Sequence, residues 1–127
     1  MYTTKLTLAF GLLTSAATSV SALGCYSRGP TFGELTGGSV SGAVEYFCKN
    51  RAAAAGEIPS GAGIRDCYPF DGPRRIEIEL RNEGGSQGLS ESACADALMT
   101  EVGGCDNGSE QKHGDFWYRI DPNDGPC

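Results

Sequence analysis

The chain has 127 residues, 10 basic and 16 acidic side chains, one histidine and a net charge of −6. This acidic balance argues against nucleic acid as a partner, because such binding depends on Lys and Arg neutralising phosphates. It equally disfavours anionic membrane surfaces. The length allows a single domain whose core alone provides a thin margin of stability.

The first 22 residues have the pattern of a secretory signal peptide. Lys5 provides the positive start, residues 6–13 form a short apolar run, and Val20-Ser-Ala22 suits signal peptidase, with Ala17 as the alternative cleavage site. A membrane-spanning helix needs ~20 mostly apolar residues, which this run lacks. A disordered cytosolic N-terminus is the remaining alternative. We expect one secreted domain, residues 23–127, whose charge becomes −7 when Lys5 is removed.

Two helices are predicted, each preceded by a serine that can cap it. The first spans about 39–52, beginning at Ser39 and stopped by Gly56 and Pro59. The second begins after Ser90, and its acidic first turn suits the helix dipole. The apolar positions recur with helical spacing; they are Val40, Ala43, Val44, Phe47 and Cys48 in the first helix, and Cys94, Ala97, Leu98, Val102 and Cys105 in the second.

Strict alternation predicts a strand at residues 75–81, with three aliphatic side chains on one face and charged ones on the other. A second strand is predicted at 115–120, and weaker candidates lie at 24–28 and 64–68. The polar run 106–114 is interpreted as a loop. The order β-α-β-β-α-β predicts an antiparallel sheet with helices packed on it, which is an α+β domain.

The six cysteines all follow the predicted signal peptide and should form three disulfides in an oxidising compartment. Fifteen pairings are possible. One of them fails on geometry, because Cys94 and Cys105 would be about 16 Å apart on one helix, beyond the ~7 Å limit for a bridge. We favour Cys105 with Cys127, which would fasten the C-terminal strand. The cysteines are Cys25, Cys48, Cys67, Cys94, Cys105 and Cys127.

No catalytic residue is assigned. General acid–base catalysis usually needs a histidine or a tuned carboxylate, and the one histidine, His113, lies in the predicted polar loop, where we expect it to be solvated. Glu77 and Glu79 lie on one strand face, about 6.6 Å apart, and are interpreted as its solvated side.

No metal or cofactor is predicted either. The cysteines are not spaced in the close pairs of a zinc site, and the segment 121–125 is interpreted as a turn and not as a calcium loop. Asn107-Gly-Ser109 fits the N-glycosylation pattern, which would place it on the surface of a secreted protein.

Three consecutive aromatic residues, 116–118, must point to both faces of their predicted strand. An exposed ring beside polar side chains suits sugars, whose C–H faces stack on aromatic rings and whose hydroxyl groups need planar polar partners. The alternative is that Trp117 lies under a helix or loop as part of the core. The predicted ligand-binding residues are Trp117, Arg119, Asp121 and Asn123.

The chain resembles a small secreted fungal family that includes the glycan-binding protein of the ink-cap mushroom and the fungal IgE-binding-like elicitor proteins. The likeness rests on the cysteine framework and on the ending Tyr118-Arg-Ile-Asp-Pro-Asn-Asp-Gly-Pro-Cys127. The resemblance implies a helix–sheet–helix sandwich around a four-stranded antiparallel sheet, and glycan binding. One departure is Phe116, at a position where relatives usually carry Trp.

Together these features predict a secreted, non-enzymatic protein that binds a glycan or glycoprotein at cell surfaces. A secreted effector or elicitor that binds a host or competitor protein is the alternative, and the charge of −7 would favour a cationic host protein. A small hydrolase or nuclease is the third hypothesis, with His113 as its best acid–base candidate.

Overall fold

The computed structural model of the protein describes residues 24–127, so the predicted signal peptide, residues 1–22, lies outside the described residues. Two α-helices and four strands follow the order α-β-β-α-β-β along the described chain. They are helix α1 (Val40–Phe47), strands β1 (Gly63–Phe70) and β2 (Arg74–Asn82), helix α2 (Glu91–Gly104), and strands β3 (Ser109–His113) and β4 (Phe116–Asp124).

Helix α1 begins where the sequence predicts. The hydroxyl oxygen of Ser39 accepts a hydrogen bond from the backbone N–H of Gly42 at 2.9 Å, which caps the helix. The helical path then continues beyond α1 through a π-turn, Cys48–Ala52, and a 3₁₀ turn, Ala53–Ala55. Gly56, with φ of 70°, ends it. The helical segment is therefore three residues longer than the predicted 39–52.

Helix α2 also has its predicted cap, since the Ser90 hydroxyl accepts from the N–H of Ala93 at 3.1 Å. Its buried stripe contains Cys94, Ala97 and Leu98, as predicted. Val102 is only half-buried. Glu101 is buried instead, and polar side chains of β3 bind its carboxylate.

The four strands form one antiparallel sheet in the order β1-β2-β4-β3. The predicted alternation of β2 and β4 is confirmed. Their core-facing side chains are all buried, and burial raises the pKa of Tyr118 to about 12. These core residues are Ile76, Ile78 and Leu80 on β2, and Phe116, Tyr118 and Ile120 on β4.

Both helices pack on this apolar face of the sheet. Tyr46 of α1 makes an edge-on contact with Tyr68 of β1, with ring centroids 6.0 Å apart. Glu101 of α2 binds Ser109 of β3 on the same face. The α+β class, the four-stranded antiparallel sheet and the three disulfides are confirmed. Within residues 24–127 the helices do not flank the sheet on two sides, so no described helix covers its second face.

The fourth strand of the sheet was predicted at the wrong position in the chain. The segment 24–28 contributes only an isolated bridge between Cys25 and Ser109. The strand is β3, within the run 106–114 that was predicted as a loop. Its core-facing side chains are polar and bind the buried Glu101, so it lacks the apolar alternation that marks a strand in sequence.

The predicted turn at 121–125 is also shifted. Strand β4 continues through Asp124, and the chain turns only at Gly125, whose φ is 96°. Pro122 is tolerated within this strand because it lies beyond Ile120, the last β4 residue paired with β3. Only one edge of β4 has a partner strand there, as proline requires.

The disulfides join Cys25 to Cys105, Cys48 to Cys94 and Cys67 to Cys127. The favoured pairing of Cys105 with Cys127 was wrong, because the end of α2 lies beside the segment around Cys25, whereas the C-terminal tail crosses to β1. The exclusion of Cys94 with Cys105 is confirmed. No cysteine is free, which is typical of proteins that fold in an oxidising compartment.

None of the helices formed by residues 24–127 is long and apolar enough to cross a membrane.

The three disulfides should differ in their access to a reductant, because exchange requires a thiolate to reach the sulfur. Cys48 and Cys94 are both 0% exposed, whereas Cys127 is exposed. Limited treatment of the folded protein with dithiothreitol, followed by alkylation and peptide mass spectrometry, should label Cys67 and Cys127 first. In denaturant this order should disappear. Early labelling of Cys48 and Cys94 in the folded protein would contradict the described packing.

Candidate functional site

The face of the sheet opposite the helices, here called the polar face, carries the charged alternate side chains of the strands. All four predicted ligand-binding residues lie on it. Trp117 is half-buried there, so it does not lie under a helix as part of the core. The side chains of the polar face are Arg65, Cys67 and Pro69 of β1, Arg75, Glu77, Glu79 and Arg81 of β2, Glu110 and Lys112 of β3, and Trp117, Arg119, Asp121 and Asn123 of β4.

Arg119 lies at the centre of the polar face, surrounded by three carboxylates. Its Nη2 is 2.7 Å from Glu77, its Nε 3.7 Å from Glu79 and its Nη1 3.6 Å from Asp121. The side chain is only 17% exposed, and Nη1 has no hydrogen-bond partner among the described residues. The guanidinium is therefore placed to hold the carboxylates in position, and little of it is open to a ligand.

Glu77 connects Arg119 to Arg75, the preceding side chain on the polar face of β2. Besides Arg119, its carboxylate accepts a hydrogen bond from Nε of Arg75 at 2.6 Å. Arg75 is fixed further by the backbone carbonyl of Asp124, to which its Nη1 donates. Charge-assisted hydrogen bonds of this kind are short and strong, so this half of the polar face is rigid. The predicted solvated role of Glu77 and Glu79 is corrected: both are partly buried ion-pair partners.

A cleft of about 560 Å³, called the first cleft, lies between β4 and the segment 25–29. Its polar lining includes Asp121 and Asn123, two of the predicted ligand-binding residues. The Nδ2 group of Asn123 donates to Oδ2 of Asp121 at 2.9 Å. Burial raises the pKa of the Asp121 carboxyl, against the opposing effects of Asn123 and Arg119. A carboxylate of raised pKa in a cleft is a common feature of functional sites.

The aromatic ring of the first cleft is Tyr26, which the sequence analysis did not identify. Its hydroxyl donates to Glu110 at 2.8 Å. Burial, and next this hydrogen bond, raise the pKa of Tyr26, so the phenol stays protonated and its ring is held in place. No periodic pattern marks Tyr26 in the sequence, and its only signal is that the neighbouring Cys25 is crosslinked.

Trp117 lies near the start of β4, at the other end of the strand from Asp121 and Asn123, and does not line the first cleft. The guanidinium carbon of Arg81 is 4.3 Å from the centre of its ring, within the range of a cation–π interaction. A sugar that stacked on this side of Trp117 would have to displace Arg81. Trp117 and Asp121 are thus on one face of the protein but not in one cleft.

The side chains of the N-glycosylation pattern at residues 107–109 make hydrogen bonds within the folded protein. Nδ2 of Asn107, the atom that would carry a glycan, donates to the carbonyl of Gly29 at 2.8 Å. Ser109, which completes the pattern, is 0% exposed, and its hydroxyl is bound to Glu101. A glycan at Asn107 would therefore have to be added before β3 folds, and it would lie beside the segment that encloses the first cleft.

The expectation that His113 is a solvated loop residue was wrong. It ends β3, and its Nε2 lies 2.6 Å from Oε2 of Glu101. The carboxylate of Glu101, which is 4% exposed, also accepts from Ser109 and Gln111. Buried carboxylates are tolerated when hydrogen bonds satisfy them, so this cluster joins α2 to β3. None of its members lines the first cleft.

Among residues 24–127, no group of three or more His, Cys, Asp or Glu side chains is placed to hold a metal ion. No protein-family model matches the chain, and a search of curated proteins finds no match. The resemblance to the fungal glycan-binding family stays a prediction.

The raised pKa of Asp121 predicts how its replacement alters stability with pH. Because the folded state favours the protonated acid, the contribution of Asp121 is full below about pH 4, its ordinary value, and is lost as pH rises through the raised value. Asp121→Asn removes that loss. The stability advantage of the variant, measured by urea unfolding, should therefore grow from pH 4 to 7. The exposed Asp106, replaced by Asn, is the control; a constant difference for Asp121→Asn would contradict the prediction.

Proposed function

We propose that the protein is a secreted, non-enzymatic glycan-binding protein and that the first cleft binds the sugar. The observation that carries this proposal is the convergence of Tyr26, Asp121 and Asn123 around a cleft of about 560 Å³. Its volume is within the usual range for ligand sites. An aromatic ring provides a surface for the apolar C–H face of a sugar, while the two planar polar groups can bind its hydroxyl groups.

The polar pair suits hydroxyl groups in particular. A sugar hydroxyl both donates and accepts hydrogen bonds; the Asp121 carboxylate accepts them, and the Asn123 amide does both. The pair is already connected by its own hydrogen bond, and Arg119 lies 3.6 Å from Asp121. Groups that are held in place before binding lose little conformational freedom when the ligand arrives.

Secretion is part of the same proposal. Three disulfides support a destination outside the cytosol, and the pattern of residues 1–22 supports export. The resemblance to secreted fungal glycan-binding proteins supports both secretion and the ligand class. The proposal that the protein is not an enzyme is supported by the position of His113, its best acid–base candidate. The ring of His113 is bound to Glu101 and does not line the first cleft.

Glycan-array binding followed by calorimetry tests the first cleft. Tyr26→Ala should weaken binding of the best array ligand by at least about tenfold, since an aromatic contact and its supporting hydrogen bond together contribute about 1.4 kcal/mol or more. Tyr46→Ala is the matched control, because Tyr46 is 55% exposed on α1, behind the opposite face of the sheet. It should leave the affinity unchanged.

Two results would count against the proposal. If the folded wild-type protein, verified by near-ultraviolet circular dichroism, bound no glycan above background, glycan binding would be excluded. If Trp117→Ala abolished binding while Tyr26→Ala did not, the sugar would bind around Trp117, near the start of β4, and not at the first cleft.

A second candidate is an effector or elicitor that binds a cationic host or competitor protein. The supporting observation is a concavity of about 550 Å³ between the helices, whose described lining includes Glu45, Glu91 and Asp96 and no basic side chain. Binding there should weaken steeply with added salt, because screening acts on exposed charges. Binding of a neutral sugar should change little between 50 and 500 mM sodium chloride, so a salt series separates the two candidates.

A further inference from the structure

A second cleft, of about 580 Å³, lies on the same polar face, on the β1 side of the sheet. Its lining includes Arg65 of β1, Arg75 and Glu77 of β2, and the tail residues 126–127. The disulfide from Cys67 to Cys127 fixes this tail beside the sheet. The second cleft thus has one wall made by the crosslinked C-terminal tail, as the first cleft has one made by the crosslinked segment 25–29.

The strand register places the two clefts next to each other. Asp121 and Asn123 line the first cleft, and their direct partners on the neighbouring strand, Glu77 and Arg75, line the second. Directly opposite side chains in an antiparallel pair have Cβ atoms about 5 Å apart. These two pairs of neighbouring side chains therefore form the boundary between the two clefts.

The second cleft also holds a side chain that is free for a ligand. Arg65 is 65% exposed, and its shortest distance to a carboxylate is 3.9 Å, to Glu77. In contrast, Arg75 is fixed by Glu77 and by the carbonyl of Asp124. The floor is therefore rigid, while Arg65 keeps its several N–H donors available for sugar hydroxyl groups.

We infer that the two clefts form one groove, which binds an oligosaccharide across the strands and not a single terminal sugar. This inference rests on the proposed glycan binding at the first cleft. Arg65 and Asp121 lie on strands separated by β2 and are offset by two residues along the strands, so about 10 Å across the sheet and about 6.6 Å along it separate their backbones. A ligand that touches both must be longer than one sugar ring. The ligand class is an unbranched oligosaccharide bound along its length.

The test is calorimetry with unbranched oligomers of one to six units of β-1,4-linked N-acetylglucosamine, β-1,4-linked glucose, β-1,3-linked glucose and β-1,4-linked mannose. In the series that binds, affinity should rise by at least about tenfold between one and four units, as linked subsites require, and then level off. Arg65→Ala should lower the affinity of the four-unit ligand by about tenfold but leave that of the shortest binding ligand unchanged. Asp121→Ala should lower both.

The control is Lys49→Ala, which removes an exposed positive charge just after α1, on the helix side of the protein, and should leave all affinities unchanged. Equal affinity for one and four units, or an Arg65→Ala effect that is the same at every length, would overturn the groove while glycan binding at the first cleft stands. Absence of binding by all four series to the folded protein would overturn the groove, and the proposed function falls with it only if the glycan array also shows no ligand.

Discussion

The disulfide between Cys48 and Cys94 constrains the whole arrangement of this protein. Both residues are 0% exposed, and their Cα atoms are 5.6 Å apart, so they join the π-turn that continues α1 directly to α2. Helices connected in this way pack against the same face of a single sheet. The aliphatic side chains of β2 and β4 then have only one face on which to be buried, and the charged alternate positions are left on the other.

The charged side chains of a sheet face that no described helix covers must pair with one another. On the polar face they do so around Arg119. A single guanidinium among Glu77, Glu79 and Asp121 would be costly to bury. Here the group stays partly solvated, and the crosslinked segment 25–29 and the crosslinked C-terminal tail cover only the edges of the face. The result is a set of polar side chains fixed in place beside open clefts. The same ion pairs thus stabilise the solvent-facing side of the sheet and hold the side chains of the proposed sugar site in place.

The parts of the fold that the sequence predicts are those where burial leaves a periodic pattern. Strand β2 alternates because one face is buried, and Ser39 and Ser90 cap the helices in the expected way. Strand β3 carries no such pattern, because its inward side chains are polar and depend on Glu101, whose burial on α2 was itself unexpected. The position of Tyr26 depends on a hydrogen bond between residues 84 positions apart, which no local pattern encodes. The predicted pairing of Cys105 with Cys127 was wrong for the same reason, since a pairing depends on which distant segments of the chain lie side by side in the fold.

The candidate site and the core are coupled through the register of β2 and β4. Glu77 faces the polar side and Ile78 the core, so a shift of one residue between these strands would exchange the two sets of side chains. The chain ends oppose such a shift, because the tail beyond Gly125 is tied to Cys67 of β1 and the N–H of Gly125 is bonded to the carbonyl of Pro73 at 2.7 Å. The crosslink that encloses the second cleft therefore also helps to fix which residues form its floor. Loss of that crosslink should disturb the polar face before the core, whose helices keep their own buried disulfide.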